Sequence, residues 1–309
     1  MNQYNDKRSK INLFKEYGYV NFEEEILRKF DVDLLDKESA ETYTNLSESH
    51  DDFIKDSGTE GFINLPAHNK NSLKILDSVV THPKIISFLK EIIGSDYKIW
   101  DISYRVSKPG DNGLYLHQDG PGQLNMAILL NDNKLKNGNT AFLSSSHLIA
   151  KSQKSLKLEV PPLILNMFSF LFDPLYGKRG DIFFFSNKTW HGRFANKSHK
   201  ENKLIFIAFF PKGYRYNRPW SDDVLERSKN LAINSLLPTK NDYKDAVDSS
   251  CELREQGKIY NHKDHKFTIN IESDNYLKNN TNIGVILKTK VIFLKFLMIV
   301  ILFIRKGYK

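Results

Sequence analysis

The chain has 309 residues, of which 40% are hydrophobic and 12% aromatic, and this composition excludes a mostly disordered protein because it suffices for a large core. A single cysteine, Cys251, excludes a disulfide framework and a zinc site built on several thiolates. The first residues contain no long apolar run beside their basic residues, so we predict no secretory signal. We therefore expect a cytoplasmic protein.

The net charge of +8 does not indicate a nucleic-acid-binding surface. Nucleic-acid binding needs basic residues clustered on the folded body. Residues 283–309 contain no acid and hold most of the excess basic residues, namely Lys288, Lys290, Lys295, Arg305, Lys306 and Lys309. We therefore expect no nucleic-acid partner.

Residues 1–96 are predicted to form a helical segment that packs on the core. INLFKEYGYVNF indicates a short helix and a turn, and EEEILRKFDVDLLDKE indicates an acidic helix. A clearer helix begins at Pro83, which suits a first helical turn, and Gly94 follows it as a stop. Its apolar stripe consists of Ile85, Ile86, Leu89, Ile92 and Ile93.

Residues 97–211 are predicted to form a β-rich core. Their short apolar runs are of strand length, are rich in β-branched and aromatic residues, and are separated by turn signals such as KPGDNG and SNKTWHG. The runs are KIWDISYRV, LNMAILL, NTAFLSS, GDIFFFS and KLIFIAFF. This pattern predicts a mainly β fold with flanking helices and a jelly-roll core. Residues 212–282 are expected to form a mixed, partly helical extension.

The tail, residues 283–309, is both basic and apolar. Val291–Ile304 is apolar except for Lys295 and is shorter than the roughly 20 residues that span a bilayer. Three interpretations stay open. The tail is a basic amphipathic helix on an anionic membrane surface, a helix packed on the protein, or a tail anchor. The first would bring the protein to the cytoplasmic face of a membrane.

One motif suits a metal site. A His-x-Asp pair on a strand directs two ligands to one face, and a second His completes the facial triad of non-haem Fe(II) oxygenases. The sequence contains three such pairs, beginning at His50, His117 and His262. Those at His50 and His262 lie in polar stretches. His117 and Asp119 follow the apolar pair Leu114 and Leu116 and precede the strand LNMAILL, so we favour this pair.

The second histidine must come from another strand end. His191 follows the apolar run GDIFFFS and a turn, which would deliver its imidazole at the edge of a sheet. His147 is interpreted as a turn residue bonded to the backbone, His82 as a helix entry, and His68 and His199 as loop residues. His191 is therefore the preferred partner.

The order of these segments resembles the phytanoyl-CoA dioxygenase family of Fe(II)/2-oxoglutarate-dependent oxygenases. The resemblance runs from about Phe14 to Pro211. It is carried by FKEYGYV, HPKIISFLKEIIG, SKPGDNGLYLHQDG, AILLNDNKLKNGNTAFLSSSH and RGDIFFFSNKTWHG. It implies a double-stranded β-helix (cupin-like) catalytic core, and it implies that His117, Asp119 and His191 bind Fe(II). The cofactors would be Fe(II), with 2-oxoglutarate and oxygen as co-substrates.

The resemblance also implies a cation for the distal carboxylate of 2-oxoglutarate, about eleven residues beyond the second His. Asn202 occupies that position, and Lys203 comes one residue later. A one-residue shift turns a side chain to the other face of a strand unless a loop absorbs it. We favour Lys203 because the loop ANKSHKE is long enough to absorb one residue. Arg193 is judged too close to the metal and better suited to an anionic group of the substrate.

Four further residues complete the predicted site. The resemblance places Asn125 and Tyr104 beside the co-substrate, although Tyr104 could equally be a core aromatic. Trp190 and Phe194 flank His191 and are candidates for the wall of the substrate pocket, an arrangement that core packing explains equally well.

The predicted function is hydroxylation of a small-molecule or lipid-like substrate with release of succinate and carbon dioxide. Asp119 argues against a halogenase, because related halogenases lack the carboxylate ligand. Two alternatives remain: a jelly-roll binding protein without turnover, and a cupin-like metal enzyme that does not use 2-oxoglutarate.

Overall fold

The computed structural model describes residues 9–248, apart from 23–25, 57–58, 120–121, 135, 149–159 and 216–218, together with residues 285–286, 289–290, 292–293 and 296. The helices in this part of the chain are α1 (Lys10–Tyr17), α2 (Lys29–Asn45), α3 (Leu65–His68), α4 (Lys70–Val80), α5 (Pro83–Ile93), α6 (Pro162–Met167), α7 (Asp222–Ser228) and α8 (Lys240–Asp245). The strands are β1 (Tyr19–Phe22), β2 (Phe53–Asp56), β3 (Thr59–Phe62), β4 (Tyr97–Ser107), β5 (Leu114–His117), β6 (Leu124–Leu129), β7 (Thr140–Phe142), β8 (Asp173–Pro174), β9 (Ile182–Ser186), β10 (His191–Arg193), β11 (Asn202–Pro211), β12 (Tyr214–Arg215) and β13 (Val247–Asp248).

Two antiparallel sheets form the core. The larger sheet has the order β1-β9-β6-β11-β4-β3-β2, and the smaller sheet has the order β5-β10-β7-β8. Strands β12 and β13 pair separately. The predicted mainly β fold with flanking helices and a jelly-roll core is confirmed, and each of the five predicted apolar runs coincides at least in part with a strand.

The larger sheet has an outer face under the helices and an inner face toward the smaller sheet. Along β11, Ile205 and Ile207 belong to the large apolar cluster that the helices cover, whereas Leu204 and Phe206 pack against the inner cluster. Residues opposite each other in register share a face, because side chains alternate along each strand. This division decides which predicted site residues can meet.

The N-terminal segment contributes strands as well as helices. We expected only helices before residue 97, but β1 pairs with β9, and β2 and β3 extend the other edge of the sheet. Gly18 ends α1 with φ 81°, and its N–H donates to the Phe14 carbonyl. A side chain at Gly18 would collide with Thr189 and His147, so glycine permits both the reversal and the close approach.

Helix α5 confirms the clearer helix prediction. Pro83 occupies its first turn, and Gly94 follows its last residue. The acidic helix forms later than predicted, because α2 begins at Lys29 and continues to Asn45. Helix α4 was not predicted, although its buried leucine, isoleucine and valine residues share one face.

Only a few tail residues lie within the described part of the chain. Residues 285–286, 289–290, 292–293 and 296 are helical. The Lys290 ammonium donates to the Leu171 carbonyl at 3.1 Å, and the Phe293 ring lies 5.8 Å from that of Phe168. Among the described residues, no helix has the length and apolarity needed to cross a membrane. Most of Val291–Ile304 lies outside these residues, so the three interpretations of the tail stay predictions.

Candidate metal centre

His117 and His191 lie side by side at the edge of the smaller sheet. His117 is the last residue of β5, His191 is the first of β10, and the two are register partners. Their ring centroids are 4.6 Å apart. The two predicted histidines therefore come together although 73 residues lie between them in the sequence.

Asp119 completes the cluster. Its carboxylate oxygens lie 3.7 Å from His117 Nε2 and 3.2 Å from His191 Nε2. The three ligand atoms all lie within 4.8 Å of one another, and no other such trio of His, Cys, Asp or Glu occurs in the described residues. Two imidazoles and one carboxylate are a suitable donor set for Fe(II), so these residues fit the metal that the resemblance implies.

The backbone holds both imidazoles in the orientation that a metal needs. His117 Nδ1 lies 2.9 Å from the Tyr115 carbonyl, and His191 Nδ1 lies 2.9 Å from the Thr189 carbonyl. A carbonyl can only accept, so each Nδ1 carries the proton and donates it. When these rings are neutral, each Nε2 then has a lone pair available for a metal, which is the arrangement of a ligating histidine.

Asp119 is held in its charged form. Burial alone would raise the pKa of its carboxyl, but the His191 and His117 imidazoles and the Asn125 amide together keep that pKa well below its ordinary value. Asn125 lies on β6, is fully buried, and donates its amide to Asp119 Oδ2. The Gln123 side-chain amide in turn donates to Asn125 Oδ1 at 2.6 Å. The polar residue inside the apolar strand is therefore bonded to the cluster.

The structure corrects the hypothesis about Tyr104. Its register partner on β11 is Ile205, so it faces the helices rather than the interior. Its ring packs against those of Phe62 and Tyr43, with centroids 5.5 Å and 6.0 Å away. Tyr104 is therefore a core aromatic on the outer face of the larger sheet, because side chains alternate along β4 and its neighbours Ser103 and Arg105 face the interior.

The structure does not bring Lys203 to the interior either, because Lys203 also lies at an outward position of its strand. Lys203 faces outward with Ile205, and its ammonium pairs with Asp36 of α2 at 2.6 Å. The loop before β11 does not absorb the one-residue shift, so Asn202 keeps the inward position. Asn202 is the register partner of Ser107 and donates its amide to the Gly138 carbonyl.

Arg193 occupies the interior that Lys203 does not reach. It follows His191 by two residues and therefore shares its face of β10. Its guanidinium crosses to the larger sheet, donates to the Ser107 hydroxyl, and lies 3.8 Å from the Asp111 carboxylate. Arg193 is buried. Arg193 thus places a cation beside Ser107 and Asn202, two residues along β10 from the metal-cluster residue His191.

Trp190 does not line the interior. It is buried in the apolar cluster on the other side of the smaller sheet, together with Leu116 and Ile164 of α6. Phe194 packs against the same cluster. Core packing therefore accounts for Trp190 and Phe194, and the structure brings neither to the metal cluster.

Four other described histidines bond to the backbone or to a carboxylate. His147 is buried and bonds to the Lys15 carbonyl, and burial lowers its pKa to about 4. His50 accepts from the Asp52 N–H, and His82 caps α5 by accepting from the Lys84 N–H. His68 lies 3.1 Å from the Asp52 carboxylate. The interpretations of His147 and His82 are confirmed.

Our sequence analysis overlooked a row of polar residues on the inner face of β4. Asp101, Ser103, Arg105 and Ser107 alternate with Ile102, Tyr104 and Val106, and their register partners on β11 are the inward residues Ala208, Phe206, Leu204 and Asn202. The alternation in DISYRVS was the available signal. Such alternation of polar and apolar residues is typical of a strand with one solvated face.

A family model and several solved structures resemble this chain. The model described as phytanoyl-CoA dioxygenase (PhyH) matches residues 14–203, which is more than half of the chain. No curated protein is significantly similar to it in sequence.

Three of the similar solved structures illustrate the likeness. The non-haem alpha-ketoglutarate-dependent carbocyclase SnoK from nogalamycin biosynthesis is 16% identical, has a TM-score of 0.54, and aligns over 78% of this chain and 96% of its own. HygX from Streptomyces hygroscopicus, solved with nickel, 2-oxoglutarate and hygromycin B, is 12% identical, with a TM-score of 0.53 and coverage of 71% and 94%. The epimerase SnoN, solved with Fe3+, alpha-ketoglutarate and nogalamycin RO, is 14% identical, with a TM-score of 0.53 and coverage of 67% and 85%. At these identities the likeness is one of fold.

Proposed function

This chain belongs to the phytanoyl-CoA dioxygenase family, and from that premise we propose that it is an Fe(II)- and 2-oxoglutarate-dependent oxygenase that hydroxylates a small-molecule substrate. The observation that carries the proposal is the convergence of His117, Asp119 and His191 inside the jelly roll. We propose these three residues as the iron ligands. The expected products besides the hydroxylated substrate are succinate and carbon dioxide.

The metal, when bound with 2-oxoglutarate, supplies the oxygen activation that attack on a C–H bond requires. The residues of the chain supply binding and orientation. The Tyr115 and Thr189 carbonyls hold the imidazoles with Nε2 inward, and Asn125 holds the Asp119 carboxylate. The open jelly-roll interior beside the cluster receives the small molecules.

We propose Arg193 as the cation for the distal carboxylate of 2-oxoglutarate. The co-substrate chelates the metal through its 2-oxo acid end and must reach the cation with its other end. Residues two apart on a strand are about 6.6 Å apart, which is comparable to the length of the co-substrate beyond its chelating atoms. Ser107 and Asn202 lie beside Arg193 and add neutral hydrogen-bonding groups. Lys203, paired with Asp36 on the other face, has no part in this proposal.

The test is chelation of 2-oxoglutarate. Adding it to the anaerobic Fe(II) protein should produce the weak visible charge-transfer band of a metal-bound 2-oxo acid. In air, slow formation of succinate should follow even without the substrate. A band and succinate would distinguish the oxygenase from both alternatives. Stoichiometric iron binding without band or succinate at millimolar 2-oxoglutarate would favour a binding protein or a different metal enzyme.

A second expected result concerns Asn125. The change Asn125→Ala removes the donor to Asp119 Oδ2, and loss of such an outer hydrogen bond lowers metal affinity by roughly 10- to 100-fold. Iron affinity is measured by competition with a chelator. The matched control is Asn131→Ala, because the Asn131 side chain accepts from the Lys203 N–H at the other end of β11. Equal losses in the two variants would show that Asn125 acts only through folding.

A further inference from the structure

Asp101 and Arg105 are polar residues of a central strand that face the protein interior. Strand β4 pairs with β11 on one side and β3 on the other, so its inward side chains lie between the two sheets. Asp101 is buried, and the Arg105 side chain is 26% exposed. Charged groups in such a position need partners, because leaving water is costly for them.

The interior is open beside Arg105, whereas Asp101 lies deeper on the same face of β4. Leu204 and Phe206 lie on the inner face of β11, a strand with neighbours on both sides, and yet both are only partly buried. The Arg105 guanidinium lies over the Phe206 ring, 5.9 Å from its centroid. Space that reaches Arg105, Leu204 and Phe206 therefore exists between the sheets.

One row across the sheet connects Asp101 with the proposed metal centre. Asp101 is the register partner of Ala208, and Ala208 is the register partner of Asn125. The Asn125 amide donates to Asp119. Strands are about 4.8 Å apart, so Asp101 lies two strand spacings, roughly 10 Å, from Asn125. A small molecule bound at Asp101 can thus extend to the metal.

Asp101 and Arg105 do not satisfy each other. The shortest distance between their charged groups is 3.8 Å, which is too long for a hydrogen bond. Arg105 Nε donates to the Ser103 hydroxyl at 3.1 Å. Asp101 Oδ2 accepts from Ser103, but Asp101 Oδ1 is buried and has no hydrogen-bond partner in the described part of the chain. Burial raises the pKa of Asp101, although Arg105 opposes this effect.

We propose that Asp101 and Arg105 bind the substrate, and that the substrate is a small zwitterion of the α-amino acid type. The inference rests on the function proposed above. A guanidinium fork binds a carboxylate through two hydrogen bonds, and a buried carboxylate oxygen accepts from an ammonium group. The two protein groups are neighbours, so their ligand must carry opposite charges on two groups that are close together, as an α-amino acid does with both groups on its α-carbon.

A hydrocarbon substrate would be rejected at this site. It would cover Asp101 Oδ1 and the Arg105 guanidinium without offering either a partner, and a site built for polar groups discriminates strongly against analogues that lack them. The lipid-like substrate that the sequence analysis allowed is therefore disfavoured. Phe206 and Leu204 offer an apolar surface for the side chain of the amino acid.

The test uses four ligands of equal chain length: L-norleucine, hexanoate, hexylamine and 1-hexanol. Binding to the protein loaded with Ni(II) and 2-oxoglutarate is measured by calorimetry. L-norleucine should bind at least tenfold more tightly than hexanoate or hexylamine, and 1-hexanol should bind most weakly. The wild-type series needs no variant and is therefore independent of any effect of substitution on folding.

Two variants assign the charges. Arg105→Gln should weaken L-norleucine and hexanoate by about ten- to a hundredfold and leave hexylamine unchanged, whereas Asp101→Asn should weaken L-norleucine and hexylamine and leave hexanoate unchanged. The affinity for 2-oxoglutarate should stay at the wild-type value in both. A structural ion pair would not produce this opposite dependence on the ligand.

Several results would overturn the inference. In the first, L-norleucine fails to bind or binds no more tightly than 1-hexanol. In the second, the variants weaken the binding of all four ligands equally. In the third, Arg105→Gln loses affinity for 2-oxoglutarate, which would assign Arg105 to the co-substrate. The 2-oxoglutarate charge-transfer band of the wild-type Fe(II) protein is recorded first. Its absence would contradict the proposed function, whereas its presence without L-norleucine binding would contradict only this inference.

Discussion

Replacing His117 or His191 by alanine is expected to abolish stoichiometric Fe(II) binding. Each change removes one of three donors whose ligand atoms lie within 4.8 Å of one another, and the two donors that remain cannot cap one face of the ion. Asp119→Ala should have the same effect and should also remove the negative charge that balances the metal. Iron content after anaerobic reconstitution and desalting is the measurement, and circular dichroism checks that the fold is retained.

The controls are the other two His-x-Asp motifs. His50→Ala and His262→Ala should keep one Fe(II) per chain. The His50 ring accepts a backbone N–H in a turn, and His50 does not belong to the ligand trio found among the described residues. His262 lies outside the described residues. Should a control variant lose iron while His117→Ala retains it, the metal site has been assigned to the wrong motif.

The second large effect is expected from Arg193→Gln. Loss of a charged hydrogen bond of about 1.5–3 kcal/mol should raise the dissociation constant of 2-oxoglutarate by roughly 10- to 100-fold. The charge-transfer band of the anaerobic Fe(II) complex reports this constant directly. Iron affinity should hardly change, because Arg193 is not a member of the metal-binding trio.

A truncated ligand shows whether Arg193 acts on the distal carboxylate. 2-Oxopentanoate has the same chelating end and a methyl group in place of that carboxylate. The wild-type protein should prefer 2-oxoglutarate strongly, and Arg193→Gln should remove the preference by weakening only 2-oxoglutarate. Lys203→Met is the matched control, since it removes a cation from the outer face of β11, and it should leave both constants unchanged.

Two outcomes would contradict this assignment. In the first, Arg193→Gln weakens both 2-oxo acids equally, which would mean that it disturbs the metal centre or the fold. In the second, Lys203→Met removes the preference for 2-oxoglutarate, which would restore the hypothesis drawn from the sequence. An unchanged preference in both variants would direct the search to another interior cation, Arg105.

On β4 and β11 the sequence predicted the strands but not which of their side chains face the interior. Both strands were predicted, but the alternation of side chains was considered only along β11. On β11 we allowed the loop to shift Lys203 inward, and the structure instead keeps Asn202 inward and pairs Lys203 with Asp36. On β4 we chose Tyr104, which lies on the outer face, and overlooked Arg105 on the inner one.

The sequence by itself determined the fold class, the five strands β4, β6, β7, β9 and β11, helix α5, and the preference for His117, Asp119 and His191. These features are local, because each depends on residue types at fixed spacing along a single strand, helix or turn. The tertiary structure alone decided which face of each strand lies between the sheets. In most antiparallel sheets a polar face is solvated, and DISYRVS matches that pattern, but here the second sheet covers the polar face and the helices cover the apolar one. That choice depends on how distant segments pack, and it places Tyr104, Lys203 and Trp190 outside the space between the sheets and Arg193, Asp101 and Arg105 on its inner faces.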